Sequence, residues 1–294
     1  MITFTVLAVL FTFASMTRAA HAPVGLGTAD TFAVLGGATV TNTGPTVISG
    51  DLGVSPGSAV TGFPPGLVNN GSIHAANAVA TQAQSDLTTA YNDAAGRTCT
   101  SDLTGIDLGT QTLTDGTYCF SSSAQLTGTL TLDGQNNPNA VFIFQIGSTL
   151  TTASASTVSL INGAQACNVY WQVGSSAVLG TTTTFRGSIL ALTSISLNTG
   201  ATIVEGRALA RNGAVTLDTN TITRDTCRTT APAPTAAPSG GTTATPAPVT
   251  TVPNTGVAET IDAGGDKLIL VGIAAGLAGL FALTLLRRQF VRGA

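Results

Sequence analysis

Three passes over one template fill residues 168–222: NVYWQVGSSAVLGTTTTF, then RGSILALTSISLNTGATIV, then EGRALARNGAVTLDTNTI. Phe185, Ile203 and Ile222 recur at a nearly constant interval, and Trp171, Leu190 and Leu209 share a second column at the same interval. A period of this length, carrying two or three short β-rich runs between Gly, Asn or Ser, suits one coil of a parallel β-helix. Stacked coils place equivalent positions in ladders ~4.8 Å apart, and strand alternation sorts the side chains between inside and outside. With Phe185, Ile203 and Ile222 inward, Thr184, Thr202 and Thr221 point outward, and Thr182, Gly200 and Thr219 stand beside them. One coil earlier, Val158 takes the inward place, with Thr157 and Ala155 outside; Thr199 extends the same outward set. The repeat therefore predicts a flat strip of threonines and very small residues, nearly free of charge.

Charged residues make up 9% of the 294-residue chain and aromatics 5%, with 34 glycines. Such a chain is expected to rest on stacked aliphatic ladders and backbone pairing, not on charge networks or large aromatic clusters. Between Pro23 and Thr255, six arginines and no lysine face ten aspartates and one glutamate, a balance of −5. Nucleic acid is excluded as a partner on that ground, because phosphate neutralisation needs clustered cations.

The runs NVYWQVGSSAVLGTTTTFRGSILA, ALARNGAVTLDTNTI and NAVFIFQIGSTLTTAS resemble the microbial ice-binding protein family. LGTADTFAVLGGATVTNTGPTVISGDLGVSPG and the following FPPG extend the resemblance, which covers roughly Gly25 to Cys227. It implies a mainly β fold, a single right-handed parallel β-helix with one α-helix alongside, and it implies ice as the ligand. The chemistry of the strip agrees with that. Ice is a regular array of oxygens, so a binder needs groups held rigidly at a matching repeat over a flat area. Stacked coils supply the repeat, and the stiff χ1 of Thr holds methyl and hydroxyl in place at little further entropy cost. The candidate ice-binding residues are Thr157, Thr182, Thr184, Thr199, Thr202, Thr219 and Thr221, with Ala155 and Gly200 keeping the surface flat.

The N-terminal MITFTVLAVLFTFASMTRAAHA has an apolar run from Ile2 to Ala14, short for a bilayer span and followed by small residues, as in a secretory leader assigned to residues 1–22. Cleavage after Ala19 fits the small-residue rule; cleavage after Ala22 would set Pro23 at a disfavoured place. A β-helix domain occupies 23–228 and is expected to be monomeric. Within it, alternation from Thr31 to Gly57 reads as the first coils. Ile73, Ala76, Ala80, Ala83, Leu87, Ala90 and Ala94 then recur at steps of 3 and 4, which predicts a helix over Ser72 to Ala95 with Ser72 as N-cap and Gly96 just past its end. An Ala-rich stripe suits close packing on a flat β face.

Four cysteines, Cys99, Cys119, Cys167 and Cys227, allow three pairings, and their spacings match no zinc pattern. A secreted chain favours disulfides, and the pairing expected is Cys99 with Cys119 and Cys167 with Cys227, the second closing the last coils. Residues 229–255 are a Pro/Thr-rich tether without charge. Residues 256–294 hold an apolar run from Leu268 to Leu286, followed by Arg287, Arg288 and Arg292, which predicts a transmembrane helix with a cytoplasmic basic tail and a cell-surface location. VPNTG, Val252 to Gly256, resembles the signal that a sortase cuts between Thr255 and Gly256, with Val252 where Leu is usual; a plain single-span anchor is the other reading.

Catalytic chemistry has little to work with. Only His21, beside the leader, and His74 are present, which leaves no histidine for a Ser-His-Asp or metal site in the coils. Asp102, Asp107, Asp115 and Asp133 could serve a carbohydrate-active β-helix enzyme, but TDGT and LDGQ are ordinary turn contexts. The reading is therefore a non-enzyme without cofactor or metal. The alternative is a surface adhesin gripping polysaccharide or other cells, whose sign would be an aromatic-lined groove.

Overall fold

The computed structural model describes residues 21–224. Within them the chain coils as a stack of parallel strands with three walls, as the repeat predicts. The wall under the helix runs, in spatial order, through Ile73–Ala75, Asp51–Val54, Phe32–Gly36, Thr202–Ala210, Thr184–Ala191, Val169–Val173, Phe142–Ile146, Gly116–Phe120 and Ser101–Asp102. The order departs from sequence at one place: Val34 and Leu35 pair with Ala208 and Leu209, so the coils that come first in the chain stack on the last ones. The same junction recurs on the other two walls, where Val40 meets Val215 and Thr221 meets Val47. Thr31 to Gly57 are coils, as expected, but they form the far end of the stack.

Helix α1 (Ala78–Gly96) follows from that order. It joins Ile73–Ala75 at one end of the wall to Ser101–Asp102 at the other, so it must run along the stacking axis. It starts later than its periodicity suggests. Ile73 to Ala75 pair with Leu52 to Val54, Ala76 sits at φ 49°, and the Asn77 side chain caps the helix by accepting from the Ala80 amide at 3.0 Å. Ser72 is therefore not the N-cap; its carbonyl accepts from the Leu52 amide instead. The far end also differs. Gly96 is the last helical residue, and the Gln145 side-chain amide closes the terminus by donating to the carbonyls of Ala94 and Arg97 at 2.8 and 2.7 Å. Ala80, Ala83, Leu87, Ala90, Tyr91 and Ala94 are buried. Ala83, Leu87, Ala90, Tyr91 and Ala94 join one apolar cluster with Ile143, Tyr170, Leu190, Leu209, Leu35 and Phe32 on the wall.

Inside the coils, aliphatic ladders are joined by a feature the low aromatic content conceals. Tyr118, Phe144 and Trp171 occupy one register column; their rings stack at 5.5 and 3.9 Å, and Phe185 lies 4.9 Å from Trp171. The core does contain a large aromatic cluster, because the few rings are gathered on one column. Trp171 satisfies its indole N–H on the Arg186 carbonyl at 3.1 Å. Its column also differs from the one its spacing suggests: Trp171 pairs with Ile189, while Leu190 and Leu209 pair with each other and face the helix. The coil from Trp171 to Ile189 is shorter by one position than the next, from Leu190 to Leu209, and a slip of one position moves a side chain to the other face.

Cys99 and Cys119 form a disulfide with Cα atoms 5.9 Å apart. Cys227, and with it the expected pairing to Cys167, lies outside the described residues, as do the leader up to residue 20, the 229–255 tether and the 256–294 anchor. Among the described residues no helix is long and apolar enough to cross a membrane.

Candidate functional site

The wall carrying the predicted threonines is built from Thr129–Asp133, Thr157–Ile161, the first residues of Thr184–Ala191 and Thr202–Ala210, then Thr221–Thr223 and Val47–Ser49. Its register is continuous. Thr129 pairs with Thr157, Thr157 with Thr184, Thr184 with Thr202, and Thr202 with Thr221. Five threonines therefore stand in one outward row ~19 Å long, at the strand spacing of ~4.8 Å. Behind them Leu130, Val158, Phe185, Ile203 and Ile222 fill the core. The inward ladder fixes the outward one by alternation. Among the described residues the hydroxyls of Thr157, Thr184 and Thr221 have no protein hydrogen-bond partner, whereas Thr202 donates to the Thr183 carbonyl at 3.3 Å.

Beside this row the chain turns a corner, and Thr182, Thr219 and Ala155 are corner residues rather than strand residues. Their φ values are 56°, 55° and 59°, and Gly200, one coil from each threonine, has φ 71°. Only glycine takes this left-handed conformation freely, and a β-branched residue there is an outlier. Each corner amide donates to the carbonyl of the next coil: Ala155 to Thr181, Thr182 to Thr199, Gly200 to Asp218 and Thr219 to Thr43, at 2.9–3.1 Å. A third row, Thr181, Thr199, Asp218 and Thr43, thus borders the corner.

Under the corner lies a buried polar ladder, Ser156, Thr183, Asn220 and Thr46, with Ala201 among them. Every member has a partner: Ser156 donates to the Leu126 carbonyl, Thr183 meets Thr152 at 2.8 Å, and Thr46 accepts from the Asn220 amide at 3.0 Å. The Asn220 side-chain amide spans to the carbonyls of Asn198 and Ala201 at 3.0 and 2.9 Å. Satisfied buried networks rigidify what they support. The corner is thereby held in one geometry from coil to coil.

The strip is not free of charge. Asp218 interrupts the third row, with Thr199 Oγ1 donating to one carboxylate oxygen and Thr219 Oγ1 to the other at 3.0 Å. On the opposite border an Arg186–Glu205 ion pair at 2.7 Å clamps adjacent coils next to Thr184 and Thr202.

The carboxylates considered for catalysis are engaged by backbone amides, three of them within their own turns and Asp115 from a neighbouring coil. Asp102, Asp107 and Asp133 accept from the amides of Thr104, Gly109 and Gln135 at 2.7–2.8 Å, and Asp115 accepts from Val141 at 2.9 Å. The Thr104 hydroxyl and amide hold Asp102 below the usual carboxylate range. Burial pushes Asp107 up, yet its bonds from Thr127 and Gly109 leave it lowered. Among the described residues no three His, Cys, Asp or Glu side chains gather as a metal site would require. Trp171 is enclosed in the core and Tyr170 is buried beneath the helix, so neither lines a groove.

The model of the Ice-binding-like family matches residues 34–223, nearly two thirds of the chain and almost the whole coil stack. This chain belongs to the Ice-binding-like family. An ice-binding protein of Nostoc sp. (strain HG1) is 64% identical over 197 residues, 67% of this chain and 72% of that protein. One from Colwellia sp is 37% identical over 223 residues, covering 69% and 84%. The crystal structure of an ice binding protein from an Antarctic Biological Consortium superposes with a TM-score of 0.67 at 50% identity, over 74% of this chain and 96% of that one. That of Antarctomyces psychrotrophicus also gives 0.67, at 42% identity, over 70% and 100%. As a member of the Ice-binding-like family the chain shares the mainly β architecture with parallel sheets and one helix. Within it, the row adds Thr129, which lies two long coils before Thr184. The steps from Thr129 to Thr157 and from Thr157 to Thr184 are both much longer than those from Thr184 to Thr202 and from Thr202 to Thr221, whose period therefore does not reach it.

Proposed function

We propose that the domain adsorbs to ice through the strip formed by Thr129, Thr157, Thr184, Thr202 and Thr221, together with Thr182, Thr199 and Thr219 at its corner. The observation that carries this reading is the unbroken row of five threonines over five consecutive coils. Their methyls exclude liquid water, their hydroxyls order a few molecules in an ice-like layout, and Ala155 and Gly200 keep the corner low. The relatives, which are ice-binding proteins, support the same ligand, and the protein is read as a monomeric, non-catalytic adsorber. The coil is taken as right-handed, the sense that parallel crossover connections adopt almost without exception. The leader, tether and C-terminal apolar run support an extracellular protein held at the cell surface, with the sortase cut after Thr255 as one route and a retained membrane helix as the other. Adsorption at that location inhibits ice growth and recrystallisation or attaches the cell to ice.

Ice-affinity partition of residues 23–228 tests the reading directly. The domain is expected to concentrate in slowly grown ice and to facet a crystal held near its melting point. Exclusion from ice, with the fold intact by circular dichroism, would leave the surface-adhesin reading in its place.

A further inference from the structure

Asp218 stands where the strip's own pattern places a neutral residue. Thr181, Thr199 and Thr43 hold the equivalent positions on neighbouring coils, and each of those side chains is uncharged. The carboxylate is half-buried and engaged on both oxygens, by Thr199 Oγ1 from the coil on one side and by Thr219 Oγ1 from its own corner. An ionised carboxylate only accepts, so both hydroxyl protons are directed into it. Thr199 and Thr219 then offer outward lone pairs alone, whereas Thr157, Thr184 and Thr221 keep hydroxyls free to donate or accept. A partly exposed carboxylate also orders water with hydrogens inward, which an ice lattice does not tolerate at one site of a neutral array.

We infer that Asp218 limits the strength of ice adsorption, by turning two hydroxyls of the strip into acceptors and by placing a charge within it. The inference rests on the proposed function and adds to it a residue that tunes it. Arg186 and Glu205 differ from Asp218 in this respect: they neutralise each other at 2.7 Å beyond the edge of the row, so their pair does not break the array.

The test compares the unaltered protein with Asp218→Thr, which continues the row Thr181, Thr199, Thr43, and with Asp218→Asn, which keeps the shape and removes the charge. Thermal hysteresis and the bound fraction in ice partition are read beside the melting temperature. Both variants are expected to raise the bound fraction about twofold, the order of one exposed charge contact. Thr181→Asp, on the same row, adds a second charge and is expected to lower the bound fraction about as much. That arm stands even if Asp218→Thr loosens the corner. The inference is overturned if Asp218→Asn matches or falls below the unaltered protein at an equal melting temperature, or if Thr181→Asp leaves adsorption unchanged. Failure of the unaltered protein to enter ice is a different result and sinks the functional reading itself.

Discussion

Threonine at a left-handed corner is a poor choice for stability, and the cost can be worked out. Thr182 and Thr219 lie at φ 56° and 55°, where a non-glycine residue costs about 1–2 kcal/mol and a β-branched one is an outlier. The neighbouring coils solve the same turn with Gly200 (φ 71°) and Gly44 (φ 79°). Asparagine visits this region readily and carries no extra unfolded-state entropy of the kind glycine brings. Thr182→Asn and Thr219→Asn each give up one local, exposed hydrogen bond, to the Thr181 carbonyl at 2.7 Å and to Asp218 at 3.0 Å, which offsets part of the gain. A net stabilisation of about 0.5–1 kcal/mol per site is expected, or roughly 1–4 °C in melting temperature for a domain of this size. Two coils separate the sites, so the effects should add. Ice-growth inhibition should fall at the same time, because stiff methyl-bearing side chains leave the strip. Calorimetry and hysteresis on the double variant check both halves. A melting temperature that stays level or drops shows that the corners are not strained, and undiminished hysteresis shows that they do not touch ice.

Three further outcomes follow from the packing. Thr184→Tyr and Thr202→Tyr raise a ring above the row and should abolish ice shaping while shifting stability by no more than ~0.5 kcal/mol, whereas Leu190→Tyr, facing the helix, should cost about 1–3 kcal/mol by overpacking without touching the strip; calorimetry beside crystal morphology separates the two faces. Phe144→Ala opens the aromatic column between Tyr118 and Trp171 and should cost about 3–5 kcal/mol in urea unfolding. The Thr28 hydroxyl and amide, with the Gln82 amide, hold Asp86 below the usual carboxylate range despite some desolvation, tying the N-terminal 3-10 turn Gly27–Thr31 to α1. Because the folded pKa is the lower one, this stabilisation is complete above the unfolded value of ~3.9 and is lost as pH falls through the folded value. Asp86→Asn should therefore lower stability at neutral pH by roughly 1 kcal/mol, discounted for exposure, and flatten the melting curve's dependence on pH below about 4.

What the sequence made legible was whatever repeats locally. Phe185, Ile203 and Ile222 fix the inward ladder, and Thr157, Thr184, Thr202 and Thr221 fall into register as their complements. Thr129 escaped because two lengthened coils in succession, Thr129 to Thr157 and Thr157 to Thr184, separate it from the short-period repeat, and a fixed period does not carry across both. The Trp171 column slipped by one position for a related reason, since successive coils differ by one position and only pairing reveals which is the shorter. Ile73 and Ala76 fit the helical stripe by spacing alone, but strand pairing with Leu52 to Val54 claimed the segment first. The junction of Val34 and Leu35 with Ala208 and Leu209 left no local trace at all, because parallel pairing over such a separation is decided by tertiary contacts. Asp218 was visible in DTNT, yet its place among the threonines needed the corner geometry.

The return of the chain's first coils onto its last ones makes α1 a ruler. Since the helix connects the two ends of the wall, the height of the stack and the reach of Ala76 to Thr100 must agree. Duplicating the coil at 188–206 would lengthen the threonine row by ~4.8 Å and demand about three more helical residues at ~1.5 Å each. Open repeat arrays grow or shrink at a free end one unit at a time. Here both ends belong to a closed circuit that forms only when residues 32–75 wait for 202–223 to be made, so coil number and helix length can change only together.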